Sequence, residues 1–470
     1  MKPGTELTLR IDRIAEKGRS VGSATNAHGT TREIHVPFAV PGDELRVEVL
    51  GRRKRRTDAR VLEILEPSPL REDPRCRYFG TCGGCSRQNI RYSAQLELKH
   101  ELVERAFFDA GLLAHAKVGS TIGADPTYDY RNKMEFSFGA RRWLTEAEVA
   151  SGETFDRDFA LGLHVPGHFD RLLDLQECHL QGPLSVRVVN GIRALAREHG
   201  WEPWSVRTIT GFLRHIVIRT PAHEDEALVD LVTTTRDEAR MALAADWLRR
   251  ECPEVTTFLN TINDGVAQIA TGSATHVEFG PGVVHDRIGD FRFEIGVHSF
   301  FQTNTRQAER LYEVVRDAAA LRADDVVYDL YCGLGTISLY VAPYVQNVLG
   351  VEIDAETTAS AIRNAEANGI KNVSFQAGDL LETLGAELVR DAGAPDVVIV
   401  DPPRAGIHPK MLKKIELLAA PRLVYVSCNP KTQVKDLAVL KRSYDVVSVQ
   451  PVDLFPHTDH IETVASLRRR

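Results

Sequence analysis

The strongest constraint on this chain lies in its C-terminal part. From residue 290 onward, apolar runs of strand length alternate with helical stretches, the rhythm of a parallel sheet with crossover helices. VVYDLYCGLGTISLYVA (326–342) reads as an apolar strand, an acid, a Gly-rich turn and a helix. Gly333 and Gly335 would let backbone approach a ligand closely. The next strand, NVLGVEID, ends in Glu352, placed to hydrogen-bond both ribose hydroxyls of a nucleoside. NVSFQAGD then supplies Asp379, placed to meet an adenine amino group. A dinucleotide is the rival ligand, but its fingerprint wants a third Gly or Ala where this chain has Ser338. Two successive strands ending in acids fit S-adenosylmethionine better. APDVVIVDPPRAG is a further strand, stopped by Pro402 and Pro403. That stop leaves Asp401 at the carboxyl edge of the sheet, where open α/β folds bind ligands.

LVYVSCNPKT (423–432) is another buried strand, ending in Cys428. A cysteine after an apolar run is most often core. Here a turn follows it, in the same layer as Asp401 and Glu352, which points to a nucleophile. FPHTDHIETV (455–464) adds Glu462 at the start of the next apolar segment, and a carboxylate or imidazole of this stretch is the candidate base. Thiolate, base and methyl donor together suggest one reaction. The C5 carbon of uracil is too weak a nucleophile to take a methyl group unaided. A thiolate adding to C6 makes C5 enolate-like, and a base then removes the C5 proton as the thiolate leaves. On this reading Cys428 is the nucleophile and Glu462 the base.

The first 70 residues read as a small β domain, with alternating runs at Glu6–Ile11 and Glu44–Val49 and a break at Pro41 and Gly42. They hold 13 Lys and Arg against 10 Asp and Glu, while the 470-residue chain as a whole has a net charge of −7. Any affinity for nucleic acid must therefore be local. GRRKRR (51–56) is either a solvated loop or a phosphate grip on an OB-type barrel. Strand-like runs between 130 and 290 (MEFSFG, ALGLHV, RHIVIRT, EALVDLVTT, EFGPGVV), with helices near 184–198 and 236–250, predict an α+β domain. No apolar run is long enough to cross a membrane. MKPGTELTLR lacks the apolar core of a signal peptide, which predicts a cytoplasmic protein. A cytoplasmic chain keeps its seven cysteines reduced. Cys76, Cys82 and Cys85, spaced C-x5-C-x2-C, with Cys178 as a plausible fourth ligand, then read as a [4Fe–4S] or zinc site. Cys252 and Cys332 read as structural.

FFQTN (300–304), DLYCGLG (329–335), DPPRAG (401–406), SCNPKT (427–432) and FPHTDHIE (455–462) resemble, in order and spacing, the RNA 5-methyluridine (uracil-C5) methyltransferase family. The resemblance covers nearly the whole chain. It implies that Gln302, Tyr331, Thr336, Glu352, Asp379 and Asp401 contact S-adenosylmethionine, and it agrees with Cys428 as nucleophile and Glu462 as base. Arg404 stands where amino-group methyltransferases carry an aromatic residue, and no second cysteine marks a cytosine-C5 enzyme; both departures favour uracil. The cysteine pattern is similar to that of the RumA-like members, which implies a [4Fe–4S] centre. The first 70 residues resemble the TRAM domain, an OB-like RNA-binding module, and Arg131, Asn132 and Lys133 would belong to the RNA surface.

The expected architecture is multidomain. A TRAM-like barrel (1–70) precedes a central α+β cysteine-bearing domain (71–95 and 126–290) and a Rossmann-like α/β methyltransferase domain of class I (96–125 and 291–470). The expected partner is RNA that presents its uridine unstacked. Ribosomal 23S RNA is favoured by the barrel and the four cysteines, with transfer RNA open and the protein a monomer. A non-catalytic RNA-binding or RNA-folding protein is the runner-up, disfavoured by the intact Cys428 and Glu462.

Overall fold

The computed structural model describes residues 2–15, 18–25, 29–53 and 56–470. Five antiparallel and parallel pairings close the N-terminal strands Glu6–Ile14, Arg19–Thr25, Thr31–Pro37, Glu44–Arg53 and Arg56–Glu66 into a barrel, with the fifth strand between the third and the fourth. Alternating Leu9, Ile11, Ile34, Val36, Leu45 and Val47 fill its interior, as the period-2 pattern requires. Asp43 is fully buried at the Pro41–Gly42 turn. Its carboxylate accepts from the backbone N–H of Val40 (2.6 Å) and Ser68 (2.9 Å) and from Arg71 Nε (2.7 Å), so the turn also fastens the chain leaving the barrel. Of the basic run, Lys54 and Arg55 lie outside the described residues. Arg56 is held by Asp58 at 2.7 Å, so it is engaged within the hairpin.

The central sheet has eight strands in the order 274–279, 257–262, 228–233, 213–219, 133–139, 160–164, 172–174, 142–143. Helices Pro183–Glu198 and Glu238–Glu251 cover one of its faces, burying Phe136, Phe138, Ile216 and Ile218. On the other face Val217, Leu228, Val232 and Leu259 join a core shared with the C-terminal domain. The run EFGPGVV, expected as one strand, is two, Ala274–Phe279 and Val283–Ile288. Gly280 and Gly282 adopt φ of +83° and +88°, which breaks the ladder between them. The second strand pairs with Phe291–Gly296, and this hairpin packs on helices Thr305–Ala319 and Ala355–Ala367. The position 290 thus falls within the turn of a hairpin that sits with the C-terminal helices.

The C-terminal sheet runs in the order 373–377, 347–352, 326–330, 397–400, 422–427, 462–469, 444–452, 117–118. The first five strands are parallel and Glu462–Arg469 is antiparallel to its neighbours. The strand order reverses between 326–330 and 397–400, the switch point at which such sheets bind ligands. Lys117–Val118 pairs with Tyr444–Val452, and helix Tyr92–Asp109 packs on helix Pro430–Leu440. From that helix Lys99 reaches the buried Asp453 at 2.8 Å, and Tyr92 donates to the same carboxylate at 3.1 Å. A segment that precedes the central domain therefore braces the loop leading to Glu462.

Candidate active site

Sheet register explains how Cys428 and Glu462 meet. Strand Arg422–Ser427 pairs antiparallel with Glu462–Arg469, with Ser427 opposite Thr463. Continuing that ladder by one residue sets Cys428 across from Glu462, and directly opposed residues of an antiparallel pair have Cβ atoms about 5 Å apart. Helix Pro430–Leu440 begins immediately after, capped by Asn429, whose side-chain Oδ1 accepts from the Lys431 N–H at 3.2 Å. Asn429 Nδ2 and Thr432 Oγ1 both donate to the Arg404 carbonyl at 3.4 Å, and Asp436 accepts from the Ile407 N–H at 2.8 Å. These bonds tie the loop after Asp401 to the loop bearing Cys428, which brings Arg404 to the thiol.

The electrostatics of this corner are unusual. Glu462 is buried, and desolvation followed by the nearby Asp401 charge raises its pKa to about 8. Asp401 is raised to about 7 by burial and by Asp329. The Cys428 thiol is pushed up to about 11 by burial and then by Glu462 and Asp401, with Arg404 acting in the opposite direction. Two carboxyls that titrate near neutrality thus stand beside one thiol. Two other titratable groups of the same loop, Asp459 and His457, are engaged elsewhere, while His460 lines the same cleft as Cys428. Asp459 accepts from Arg87 Nε and from the Gly18 N–H, each at 2.6 Å. His457 stacks on Tyr128 with ring centroids 4.2 Å apart, and burial lowers its pKa to about 4. They tie the loop to the central domain and, through Gly18, to the barrel, and of the loop's carboxylates Glu462 is left on the Cys428 side.

The remaining predicted residues surround the first strand of the sheet. Tyr331, Gly333 and Gly335 take φ of +70°, +54° and +77°, a left-handed turn before helix Thr336–Val341. A Cβ added at Gly333 would meet nothing within 4 Å, whereas one at Gly335 would strike Phe375 at 2.6 Å. The turn is therefore open on one side and packed on the other. Glu352 ends its strand with one carboxylate oxygen on the Gly333 N–H and the other on the Asp354 N–H, both at 3.1 Å. Asp379 caps the short helix Leu380–Thr383 and is exposed. Asp329 is fully buried; Ser338 donates to Oδ2 at 2.6 Å, while Oδ1 has no partner. Ser338, which stands where a dinucleotide fold needs Gly or Ala, is thus bound to this acid. An open turn, a backbone-oriented Glu352 and a buried acid behind them fit a nucleoside-bearing methyl donor.

Gln302 is buried, and its carbonyl accepts from Asn132 Nδ2 at 2.8 Å. The same Asn132 amide donates to Thr305 Oγ1 at 2.8 Å, so it joins the central sheet to the start of helix Thr305–Ala319. Tyr312 on that helix is bonded to Thr336 Oγ1 at 2.9 Å and is close enough to Asp401, Asp329 and Glu462 for their charges to raise its pKa. Tyr312, Asp329 and the positioning of Arg404 were not singled out as site features by the sequence. Tyr312 lies mid-helix, where an aromatic residue reads as core.

Cys428 opens onto a cleft of about 960 Å³ built from all three domains. Phe38 of the barrel, Cys82–Cys85, Arg131 and Lys133 of the central domain, and Arg404 and His460 of the C-terminal domain line it. Behind the cysteine-rich wall Cys76, Cys82, Cys85 and Cys178 line one small cavity with Phe79, Leu163, Leu175 and Leu180. Burial raises Cys82 and Cys85 to about 12. Among the described residues, no three His, Cys, Asp or Glu side chains are drawn together closely enough to hold a metal ion. The four sulfurs share a cavity as neutral thiols, which pack as small apolar groups. By residue type, four cysteines lining one cavity are a donor set that suits iron–sulfur or zinc, although their side chains are not gathered to ligating distance.

Comparison with known proteins agrees with this architecture. Residues 266–470 match the tRNA (Uracil-5-)-methyltransferase family, and residues 26–70 match the TRAM domain of tRNA (uracil(54)-C(5))-methyltransferase. An uncharacterized RNA methyltransferase of Chlorobaculum tepidum is 38% identical over 100% of this chain and 97% of its own length. One from Bacteroides thetaiotaomicron is 38% identical over 93% of this chain and 97% of its own. The crystal structure of Pyrococcus abyssi tRNA (uracil-54, C5)-methyltransferase in complex with S-adenosyl-L-homocysteine superposes with a TM-score of 0.74 at 26% identity. The match covers 98% of this chain and 99% of that one. With a barrel, a Rossmann-like sheet and relatives matched end to end, the chain belongs to the S-adenosylmethionine-dependent RNA uracil-5-methyltransferase family.

Proposed function

We propose that this protein methylates C5 of a uridine in structured RNA through a covalent bond between Cys428 and C6. The observation that carries this reading is the ladder register that opposes Cys428 to Glu462 beside Asp401 and Arg404. S-adenosylmethionine supplies an electrophilic methyl group, held by Gln302, Tyr331, Thr336, Glu352, Asp379 and Asp401. The Cys428 sulfur adds to C6 of an unstacked uracil as its proton passes to solvent, which leaves Glu462 free to act as base. The electron pair pushed toward C5 takes the methyl group. Glu462 then removes the C5 proton, the C5–C6 double bond re-forms, and the Cys428 sulfur leaves as a thiolate. In the resting site burial, with the neighbouring carboxyls adding to it as they ionise, keeps the thiol protonated, so attack is coupled to substrate binding. The cysteine cavity is read as a [4Fe–4S] site held by Cys76, Cys82, Cys85 and Cys178, with a structural role.

For the target, the barrel and the four cysteines support 23S ribosomal RNA. Transfer RNA is a second reading, supported by the names of both matching families and of the Pyrococcus abyssi enzyme. Mapping 5-methyluridine in ribosomal and transfer RNA from cells with and without the protein decides between them. Loss of a methyl group at one 23S position is expected; loss confined to transfer RNA selects the second reading, and no loss in either overturns both.

A further inference from the structure

The face of the central sheet that turns toward the C-terminal domain is divided. Its half near Leu228, Val232 and Leu259 is packed into the shared core. Its other half is buried but incompletely filled. Register places Ser137 opposite His215, Glu135 opposite Val217 and Lys133 opposite Arg219, so these side chains share one face. All of them but Arg219 line a cavity of about 490 Å³, bounded also by Val297, His298 and the segment Gln268–Thr271. Arg219 holds that boundary by donating to the Val297 carbonyl at 3.1 Å. Lys133, Glu135, Leu163 and His164 line both this cavity and the catalytic cleft, so the two are continuous.

The lining is unfinished as protein structure. His215 is only 5% exposed, yet its Nε2 has no hydrogen-bond partner; its Nδ1 meets Ser137 Oγ at 3.2 Å. The buried Nδ1 of His164 also lacks a partner. Native proteins rarely leave such atoms unpaired, because each costs its desolvation. Burial holds His215 well below neutrality, at about 4, so the ring is uncharged and offers one donor or one acceptor by tautomer. Glu135, bridged to Lys133 at 2.6 Å, exposes about half of its side chain here. Apolar contact comes from Leu163, Val217, Ile269 and Ala270.

We propose that this cavity is a second nucleobase pocket, which takes an unstacked base near the target uridine and prefers a base bearing an exocyclic amino group. The inference rests on the reading of the cleft as an RNA site. An amino group would donate to Glu135 while a ring nitrogen or carbonyl meets His215. Uracil can offer the carboxylate only its N3–H, which is flanked by two carbonyl oxygens that Glu135 repels, so it should bind this pair less well than a base with an exocyclic amino group. A strand lying along the cleft passes the mouth of this pocket, so the protein reads a neighbouring base as well as the one it modifies.

The probes are fluorescein-labelled octanucleotides rA8, rC8 and rU8, titrated against the full-length protein without a methyl donor. Gln268→Trp plugs the pocket from its rim loop, away from the core. It should weaken rA8 and rC8 by about tenfold, the value of roughly one base contact, and rU8 by about twofold or less. His215→Ala should show the same order. Unchanged or equal losses for the three octamers would overturn the pocket alone, leaving the cleft as an RNA site. If the unaltered protein bound none of the octamers, the RNA reading of the cleft would fail, and the pocket with it.

Discussion

The cleft has thiols behind two of its walls, and they are alike only in being buried. On the C-terminal wall Cys428 faces Glu462 and Asp401, carboxyls that titrate at about 8 and 7, with Arg404 opposing them. On the opposite wall Cys82 and Cys85 are raised to about 12 mainly by burial, and the charges that add to this are those of the other cysteines of the same cavity. A thiol beside groups that change charge near neutrality can be switched by a substrate. A thiol among other thiols and leucines waits for a cation or stays inert. The two walls therefore divide the labour, and substitutions on each should fail in different ways.

The largest effect belongs to the first wall. Cys428→Ala should lower methyl transfer by a factor on the order of 10⁴ or more, the scale seen when a nucleophile is removed, and should form no covalent RNA adduct. Glu462→Gln should still permit attack and methylation but block removal of the C5 proton, so a methylated protein–RNA adduct should accumulate. RNA containing 5-fluorouridine should trap the same adduct on the unaltered enzyme, read as a gel-shifted band resistant to denaturation. Normal turnover by Cys428→Ala, or release of 5-fluorouridine RNA with no adduct, would remove the distinction between the walls.

The second wall should fail through structure. Protein purified without oxygen should be brown, with absorbance near ~400 nm and both iron and sulfide. Cys82→Ser should lose the colour and lower the melting temperature. Its activity should fall in step with the folded fraction, with the adduct chemistry of the surviving molecules intact. Stoichiometric zinc without sulfide would instead make the wall a zinc site. The coupling between walls is physical: Ser86 and Arg87, just after Cys85, donate their N–H groups to the His457 carbonyl at 2.9 and 3.0 Å.

Burial of Glu462 has a measurable cost. Its pKa is raised on folding, so between about 4.5 and 8 the native state binds more protons than the unfolded state, and stability falls as pH rises through that window. Glu462→Gln removes the cost. The variant should melt at the same temperature as the unaltered protein below the window and higher by roughly 2 °C or more above it. Resolution of the adduct should accelerate through about pH 8, where half of the carboxyl is ionised, and level off roughly a pH unit above. A pH-independent difference in melting temperature would mean that Glu462 is not the group that ionises.

Much of this was legible in the chain, and the reasons differ by region. The inner strands of the C-terminal sheet are buried on both faces, so they read as continuous apolar runs, and they, like the partly exposed edge strand Val373–Ala377, are each cut by a turn that announces the acid after it. That made Glu352, Asp379 and Asp401 visible one at a time. The meeting of Cys428 with Glu462 was harder, because it depends on the register of an antiparallel strand inserted late in the chain. Arg404 was read as an argument about the base to be methylated, yet its place beside the thiol is set by Asn429 and Thr432, which no local pattern reveals. Asn132 acts across domains and Tyr312 across elements of one domain, and a helix or strand pattern cannot say which neighbour its polar residue will meet. The division of the central sheet's face was invisible for the same reason: Val217 and Leu228 look alike in sequence, but only one is covered by the C-terminal core and not by a cavity wall as well.

The smallest effect separates grip from chemistry. Within the basic run, Arg56 is bound to Asp58 and Arg52 is exposed at the end of the strand Glu44–Arg53. The barrel that carries them reaches the cleft through Phe38, on the same side as Cys82–Cys85 and away from Cys428. If Arg52 neutralises a phosphate, Arg52→Ala should reduce the slope of log affinity against log salt by about 0.7–0.9. Arg56→Ala should reduce it less, because Asp58 already occupies that guanidinium. Neither change should alter the yield of adduct at saturating RNA, since neither residue faces Glu462 or the thiol. Equal slopes for all three proteins would return Arg52 to the role of a solvated surface charge. A fall in adduct yield at saturation would show that the barrel positions the uridine as well as holding the strand, and the two walls would then share a task that the geometry assigns to one.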